Sequence, residues 1–440
     1  MVERDERTIV RSSRAIYFPL VIKKGKGCLV EDIDGNTYID FLSSAAVMNT
    51  GYNHPKVVEA IKEQVENYVQ FSTDYLYAAP QVELAEKITE LLRDTGQYKV
   101  LFGHSGSDGV DGAIKLARSF TGRSKIISYM GSYHGSTFGA LSVSGISLNM
   151  KRKLGPLLPE IYHMPYPNCN DCCFGKSRDT CLMECFSFIE RSMANHIPPE
   201  EVAAVIIEPI AGDLGFVEPP EEYFRKLEEL LERNNILLIV DEVQQGFGRT
   251  GKWFSFQHFN LNPDIIVMGK AMASGMPLSC VAARNEIMDS LLMPAHLFTL
   301  QGNPVSSKAS IATIDIIQEE GLIENARIMG DYIKFELLRM AMKYDFLGKV
   351  TGRGLSLGLE MVVPGEVGKK NRVAARKVSY ECWKRGLILI YLAENVLRIQ
   401  PPLIIGQKQA EEALRILEGV FEDYEKNNID DEALQMVKGW

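Results

Sequence analysis

Asp241 closes one apolar run, Ile236–Val240, and Lys270 follows another, Pro263–Gly269. A carboxylate and an amine therefore stand at the ends of two strand-like segments about one α/β unit apart. A lysine amine can bond covalently to an aldehyde, and an aspartate can keep a ring nitrogen protonated so that the ring accepts electrons. Those are the two needs of pyridoxal phosphate, with Lys270 as the anchor and Asp241 as the ring partner. A lysine after a strand is more often a solvated charge, so the residues around it must decide.

Three further turns offer chemistry. His104-Ser105-Gly106-Ser107-Asp108 follows the run Lys99–Gly103 and precedes a helix expected to begin near Gly109. Backbone N–H groups at such a turn suit a phosphate, although the spacing matches neither a P-loop nor a Rossmann glycine pattern. Gly131-Ser132-Tyr133-His134-Gly135-Ser136 places an aromatic ring and an imidazole beyond Lys125–Met130, where the ring could stack on a cofactor. Glu208 and Asp213 lie on a loop shaped by Pro209 and Gly212, which could hold acids rather than leave them solvated. Each turn also has a plainer reading, as a Gly-Ser turn, a packed tyrosine or surface acids.

The elements that must position these residues alternate. Lys99–Gly103, Lys125–Met130, Val202–Ile207, Ile236–Val240, Asp264–Met268 and Leu278–Ala283 read as strands, with helical patterns such as Asp111–Phe120 and Glu221–Asn234 between them. The alternation predicts an α/β fold with a mostly parallel sheet covered on both faces, and ligands on such sheets bind beyond the carboxyl ends of the strands. Cys28–Asp40, turning at Asp34-Gly35-Asn36, reads as a hairpin outside the main sheet. From about Asn325 a long helix, a segment Val350–Met361, a helix near Ala374–Lys384, strands around Leu387–Leu392 and Val396–Ile399, and a helix from Gln407 suggest a smaller α+β domain. The expected division is residues 1–55 as an N-terminal part of the small domain, 56–320 as the large cofactor domain and 321–440 as the C-terminal small domain.

With 440 residues, 46% of them hydrophobic, the chain can bury a large core in more than one domain. A net charge of −9 disfavours nucleic acid and anionic membrane as partners. No apolar run approaches the roughly 18 to 20 residues of a membrane span, and Met1–Arg14 lacks a signal-type apolar stretch, so a cytoplasmic enzyme of small molecules is expected. Five of the eight cysteines fall within Cys169–Cys185. Cys169/Cys172 and Cys181/Cys185 have the C-x2-C and C-x3-C spacing of structural zinc sites; Cys173 has no place in that scheme, reduced thiols would serve as well, and no metal is assigned.

Asp241-Glu242-Val243-Gln244-Gln245-Gly246-Phe247-Gly248-Arg249-Thr250-Gly251, with Pro263-Asp264 and Gly269-Lys270, resembles the signature of class III aminotransferases, which are fold-type I pyridoxal phosphate enzymes. The resemblance runs from about Ile33 to Leu403. It implies a large domain with a mostly parallel seven-stranded sheet flanked by helices, and pyridoxal 5′-phosphate bound covalently to Lys270 with Asp241 at its ring nitrogen. Val243 and Tyr133 would cover the two ring faces and Gln244 would lie near the ring hydroxyl, with His134 and Glu208 completing the pocket. Gly106 and Ser107 would hold the phosphate, joined by Thr299 of a second subunit, which implies a homo-oligomer, dimer or dimer of dimers, with shared active sites. Arg398 in Leu397-Arg398-Ile399-Gln400-Pro401-Pro402 resembles the arginine that takes the substrate α-carboxylate, and Tyr75, Tyr77 and Leu300 would be wall residues.

Two departures from the 4-aminobutyrate aminotransferase pattern bear on the reaction. Ser136 stands where those enzymes carry an arginine for the distal carboxylate, and Asp213 where they carry a glutamate that pairs with the α-carboxylate arginine. Both resemble the branch holding isoleucine 2-epimerase and broad-substrate amino-acid racemases. The implied activity is inversion at Cα of a neutral, apolar amino acid, with Lys270 as base and Asp213 as the acid on the opposite face. An aminotransferase of the same family is the alternative; a cofactor-binding protein without turnover is disfavoured by the intact Lys270, Asp241 and Arg398 set.

Overall fold

The computed structural model describes residues 1–366 and 368–437. It divides into two compact units: Pro55–Phe247 with Lys252–Ile317, and Met1–His54 with Gly248–Gly251 and the chain from Gln318 onward.

The first unit is built on a seven-stranded sheet, in the order Tyr98–Gly103, Ser279–Arg284, Ile265–Met268, Leu237–Asp241, Val202–Ile207, Lys125–Tyr129, Ile161–Met164. Only Ser279–Arg284 runs against its neighbours; the other neighbouring pairs are parallel. Val202–Ile207 is buried along its whole length, which is why V-A-A-V-I-I carries no polar alternation: both faces are covered. Ile161–Met164, with tyrosine and histidine at an edge, escapes recognition as a strand from composition alone.

Residues Gly106–Thr121 form a helix whose Val110, Ala113, Ile114 and Ala117 recur at helical spacing. That stripe joins Ile126, Ile206, Ile239, Val267 and Val281 in the core against the sheet. The helix begins at Gly106 rather than near Gly109, because Ser105 caps it: its side chain accepts from the Asp108 N–H while the Asp108 carboxylate accepts from the Ser105 N–H.

In the second unit, Ile22–Lys26, Leu29–Asp32 and Thr37–Asp40 form an antiparallel sheet. The expected turn is present, with Gly35 at φ +89° and the Asp32 carboxylate accepting from Asp34 N, Asn36 N and the Tyr38 hydroxyl. The segment Val350–Met361 is a hairpin, Leu347–Arg353 and Ser356–Met361, not one strand. The expected strand Leu387–Leu392 is also two. Leu387–Ile388 pairs with Ile39–Asp40, and Ile390–Leu392 pairs with Val396–Ile399, so the chain changes sheets at Leu389. The helices Leu322–Lys343, Arg372–Lys384 and Gln407–Glu425 complete this unit.

Candidate active site

Five strands of the first unit deliver their carboxyl ends to one region, and each is followed by a candidate residue. Asp241 is the last residue of its strand and is 4% exposed. The buried His134 donates from Nδ1 to Asp241 Oδ2 at 2.8 Å, and Val243 N donates to Oδ1 at 2.9 Å. The carboxylate is thus fixed in orientation, with an acceptor role for each of its oxygens.

Glu208 joins two of the turns. Its Oε1 accepts from Tyr133 N and its Oε2 from Gly212 N, both at 3.0 Å, so one buried carboxyl ties the loop of Tyr133 to the loop of Asp213. Burial first, and then the Asp241 charge, push its pKa up to about 7, against the pull of His134. Asp213 is buried, and Gln244 Nε2 lies 3.4 Å from its Oδ1. Tyr133 Oη and Ser136 Oγ are 3.3 Å apart, and Ser136 N donates to Ser107 Oγ at 3.1 Å.

Whether these residues fit pyridoxal phosphate is decided by groups that make sense only beside such a ligand. Gln244 Oε1 is buried without a hydrogen-bond partner, an arrangement that costs free energy unless a donor such as a ring hydroxyl completes it. A Cβ at Gly106 would lie 2.7 Å from Val243 Cγ1, and one at Gly135, at φ +132°, would lie 2.3 Å from Ser107 Oγ. Only glycine lets these loops close around the first turn of the helix, where N–H groups face an anion. Gly269 packs against Gly106 N and Val243 and places Lys270 next to them. Lys270 itself is held at φ +44°, a left-handed conformation that costs a lysine energy and is found at functional sites. The residues fit the cofactor.

Within the first unit the structure therefore connects Gly106, Ser107, Tyr133, His134, Glu208, Asp213, Asp241, Val243, Gln244 and Lys270. Thr299 and Tyr75 lie apart, on exposed neighbouring segments: Gln70 donates to the Thr299 carbonyl at 2.9 Å, Gln301 donates to Asp74, and Tyr75 is 82% exposed. Ser107 is set by Gly135, and Lys270 by Gly269; neither glycine is a candidate from sequence, because its role is a close approach between distant segments.

Arg398 belongs to the second unit, in the strand Val396–Ile399, and is 5% exposed. In the same unit Ser43–Ala46 forms a left-handed turn, with φ between 50° and 64° at four successive non-glycine residues. Nothing in Ser-Ser-Ala-Ala announces it. Cys169, Cys172, Cys173, Cys181 and Cys185 line one small cavity of about 20 Å³. They carry free thiols, and among the described residues no group of three or more His, Cys, Asp or Glu side chains is arranged to hold a metal ion. Among the described residues no helix is long and apolar enough to cross a membrane.

Comparison with known proteins agrees with this geometry. The family model for class-III aminotransferases matches residues 10–421. A leucine/methionine racemase from Thermococcus litoralis is 44% identical over 440 residues, 100% of this chain and 99% of the relative. An isoleucine 2-epimerase from Lentilactobacillus buchneri is 42% identical, covering 98% and 96%. An amine transaminase from an uncultivated Pseudomonas species, solved in its PLP-bound form, superposes with a TM-score of 0.86 at 28% identity, covering 92% of this chain and 94% of that one. The chain belongs to the class-III aminotransferase family, with the fold-type I architecture, and its cofactor is pyridoxal 5′-phosphate.

Proposed function

We propose that the protein is an amino-acid racemase or 2-epimerase acting at Cα of a neutral, apolar amino acid. The observation that carries this reading is kinship over nearly the whole chain: a leucine/methionine racemase is 44% identical and an isoleucine 2-epimerase 42% identical. Leu237–Asp241 lies between Ile265–Met268, which leads to Lys270, and Val202–Ile207, which leads to Asp213. Neighbouring strands thus bring an amine and an acid toward the ring-pairing carboxylate, and inversion needs two such groups, one for each face of Cα.

When bound, pyridoxal phosphate supplies an electron-accepting ring that stabilises the charge left on Cα once its proton is gone. Asp241, oriented by His134 and Val243 N, keeps that ring protonated. Lys270 Nζ takes the Cα proton on one side; the Asp213 carboxyl delivers a proton on the other, held near Gln244. Tyr133 and Val243 would cover the ring faces, Gly106 and Ser107 would take the phosphate, and Arg398 would take the substrate α-carboxylate through its guanidinium fork. With Ser136 in place of a cation, a second substrate carboxylate would be left without its charge partner, so side chains without charge are favoured.

The active protein is a homo-oligomer in this reading. Val69, Phe71, Tyr75, Leu76 and Tyr77 are all at least half exposed; they border the Thr299 segment, and a second copy would cover them while Thr299 completes its phosphate site. A cytoplasmic location fits the net charge of −9 and the free thiols.

Asp213→Asn tests the assignment. The variant should keep the absorbance of bound cofactor and lose inversion by about a thousandfold or more, within the range for losing a positioned acid. A variant that inverts leucine at the wild-type rate refutes the role.

A further inference from the structure

Arg398 does not stand alone in its strand. Residues two apart on a strand share a face, and Gln400 Oε1 accepts from Arg398 Nε at 2.6 Å. Gln400 in turn donates from Nε2 to Ser356 Oγ at 2.8 Å. The register explains the second contact: Leu357 pairs with Ile399 and Gly358 with Arg398, so the antiparallel ladder continued by one residue sets Ser356 opposite Gln400. Arg398 has Gly358 as its cross-strand neighbour on that side and Ile390 on the other. Gln400 and Ser356 are both fully buried, and Gln400 N donates to the Phe41 carbonyl at 2.8 Å, just before the left-handed turn Ser43–Ala46.

A second buried guanidinium lies close by. Arg249 is fully buried and donates to the Leu355 and Pro401 carbonyls and to Asn49 Oδ1. Burial first, and then the charge of Arg398, lower its pKa to about 9. Two like charges thus share one desolvated region, with the buried Asp40 carboxyl acting against them on Arg249.

We propose that Gln400, braced by Ser356, is a positioning residue for substrate-carboxylate binding: its neutral amide fixes the plane of the Arg398 guanidinium without neutralising it. The proposal rests on the reading that Arg398 takes the α-carboxylate. A neutral acceptor differs from an acidic one in its consequence. An amide satisfies Nε without adding a negative charge, whereas a carboxylate in the same place would compete with the substrate for the guanidinium.

Steady-state kinetics of leucine inversion separate the possibilities, with isoamylamine, which is leucine without its carboxylate, as a spectroscopic control for binding. Gln400→Leu should raise the leucine KM about tenfold, the scale of a lost hydrogen bond to a charged group, with kcat within about threefold and isoamylamine affinity unchanged. Gln400→Glu, which keeps size and acceptor, should raise KM further still. A purely structural glutamine predicts the reverse, with Glu rescuing what Leu loses, and that result overturns the proposal. Ser356→Ala, a milder change, should raise KM about threefold and provides the readout if either Gln400 variant does not fold; an unchanged KM there overturns the proposal. Arg398→Lys is measured alongside. If it raises KM while the Gln400 variants leave it alone, the relay is wrong and the Arg398 reading survives; if it too leaves KM unchanged, both fall.

Discussion

The proposed preference for side chains without charge rests on Ser136, a small hydroxyl where a cation could stand. Its Oγ is 3.3 Å from Tyr133 Oη and its N–H reaches Ser107 Oγ, so the position that could carry a cation instead helps seat the ring-covering tyrosine. Ser136→Arg should shift kcat/KM for glutamate relative to leucine upward by about tenfold, the worth of one charge-assisted contact; an unmoved ratio would remove Ser136 from the account of specificity. At this scale the sequence is informative where residue type and chemistry coincide. Lys270 and Asp241 can be picked out because an amine and an acid each end an apolar run. The role of Glu208 as a bridge is not legible, since it depends on two loops converging from different strands. Ser43–Ala46 is invisible for another reason: serine and alanine carry no preference for positive φ, so only the surrounding structure can impose that turn.

Elements carry the phosphate end of the site. The helix Gly106–Thr121 starts at its capping box, and Asp108 also accepts from Ser279 Oγ at 2.7 Å, joining the helix start to the antiparallel strand. Ser105→Ala should lower stability by about 1 kcal/mol, as for other lost N-caps, read by thermal unfolding of the cofactor-free protein. It should also weaken cofactor affinity, because the capped turn is the one that presents Gly106 and Ser107. The strands of this unit are legible as apolar runs between glycines. Glycine and serine at 106 and 107 look like loop until the Ser105 cap is recognised, so the sequence alone sets the helix start three residues late. In the other unit, Leu387–Leu392 reads as one strand from its side chains, and only the pairing partners on either side of Leu389 divide it.

At the scale of the whole molecule, a buried acid couples stability to pH. Glu242 is fully buried and accepts from Ser255 N, Ser255 Oγ and Phe256 N, yet burial outweighs these bonds and raises its pKa from 4.5 to about 7. Between those values the folded chain binds more protons than the unfolded one, so this contribution to stability is complete below pH 4.5 and is lost as pH rises toward 7. Glu242→Gln should make the fall in Tm between pH 5 and 7 shallower; an unchanged slope would show that Glu242 does not titrate in this window. The α/β alternation makes six of the seven sheet strands legible but not their order, and the grouping of Gly248–Gly251 with the second unit is not legible either, because it rests on backbone contacts to Gly354 and Leu355.

The central claim concerns the fate of one proton at Cα. Cofactor-loaded protein incubated with a single enantiomer of leucine, methionine or isoleucine, with no 2-oxo acid added, can be analysed by chiral chromatography. Inversion predicts that both configurations at Cα appear, reaching for leucine and methionine the same mixture from either starting enantiomer, with no keto acid accumulating beyond one equivalent of enzyme. Unchanged configuration, with amino transfer appearing only once pyruvate or 2-oxoglutarate is supplied, would contradict it.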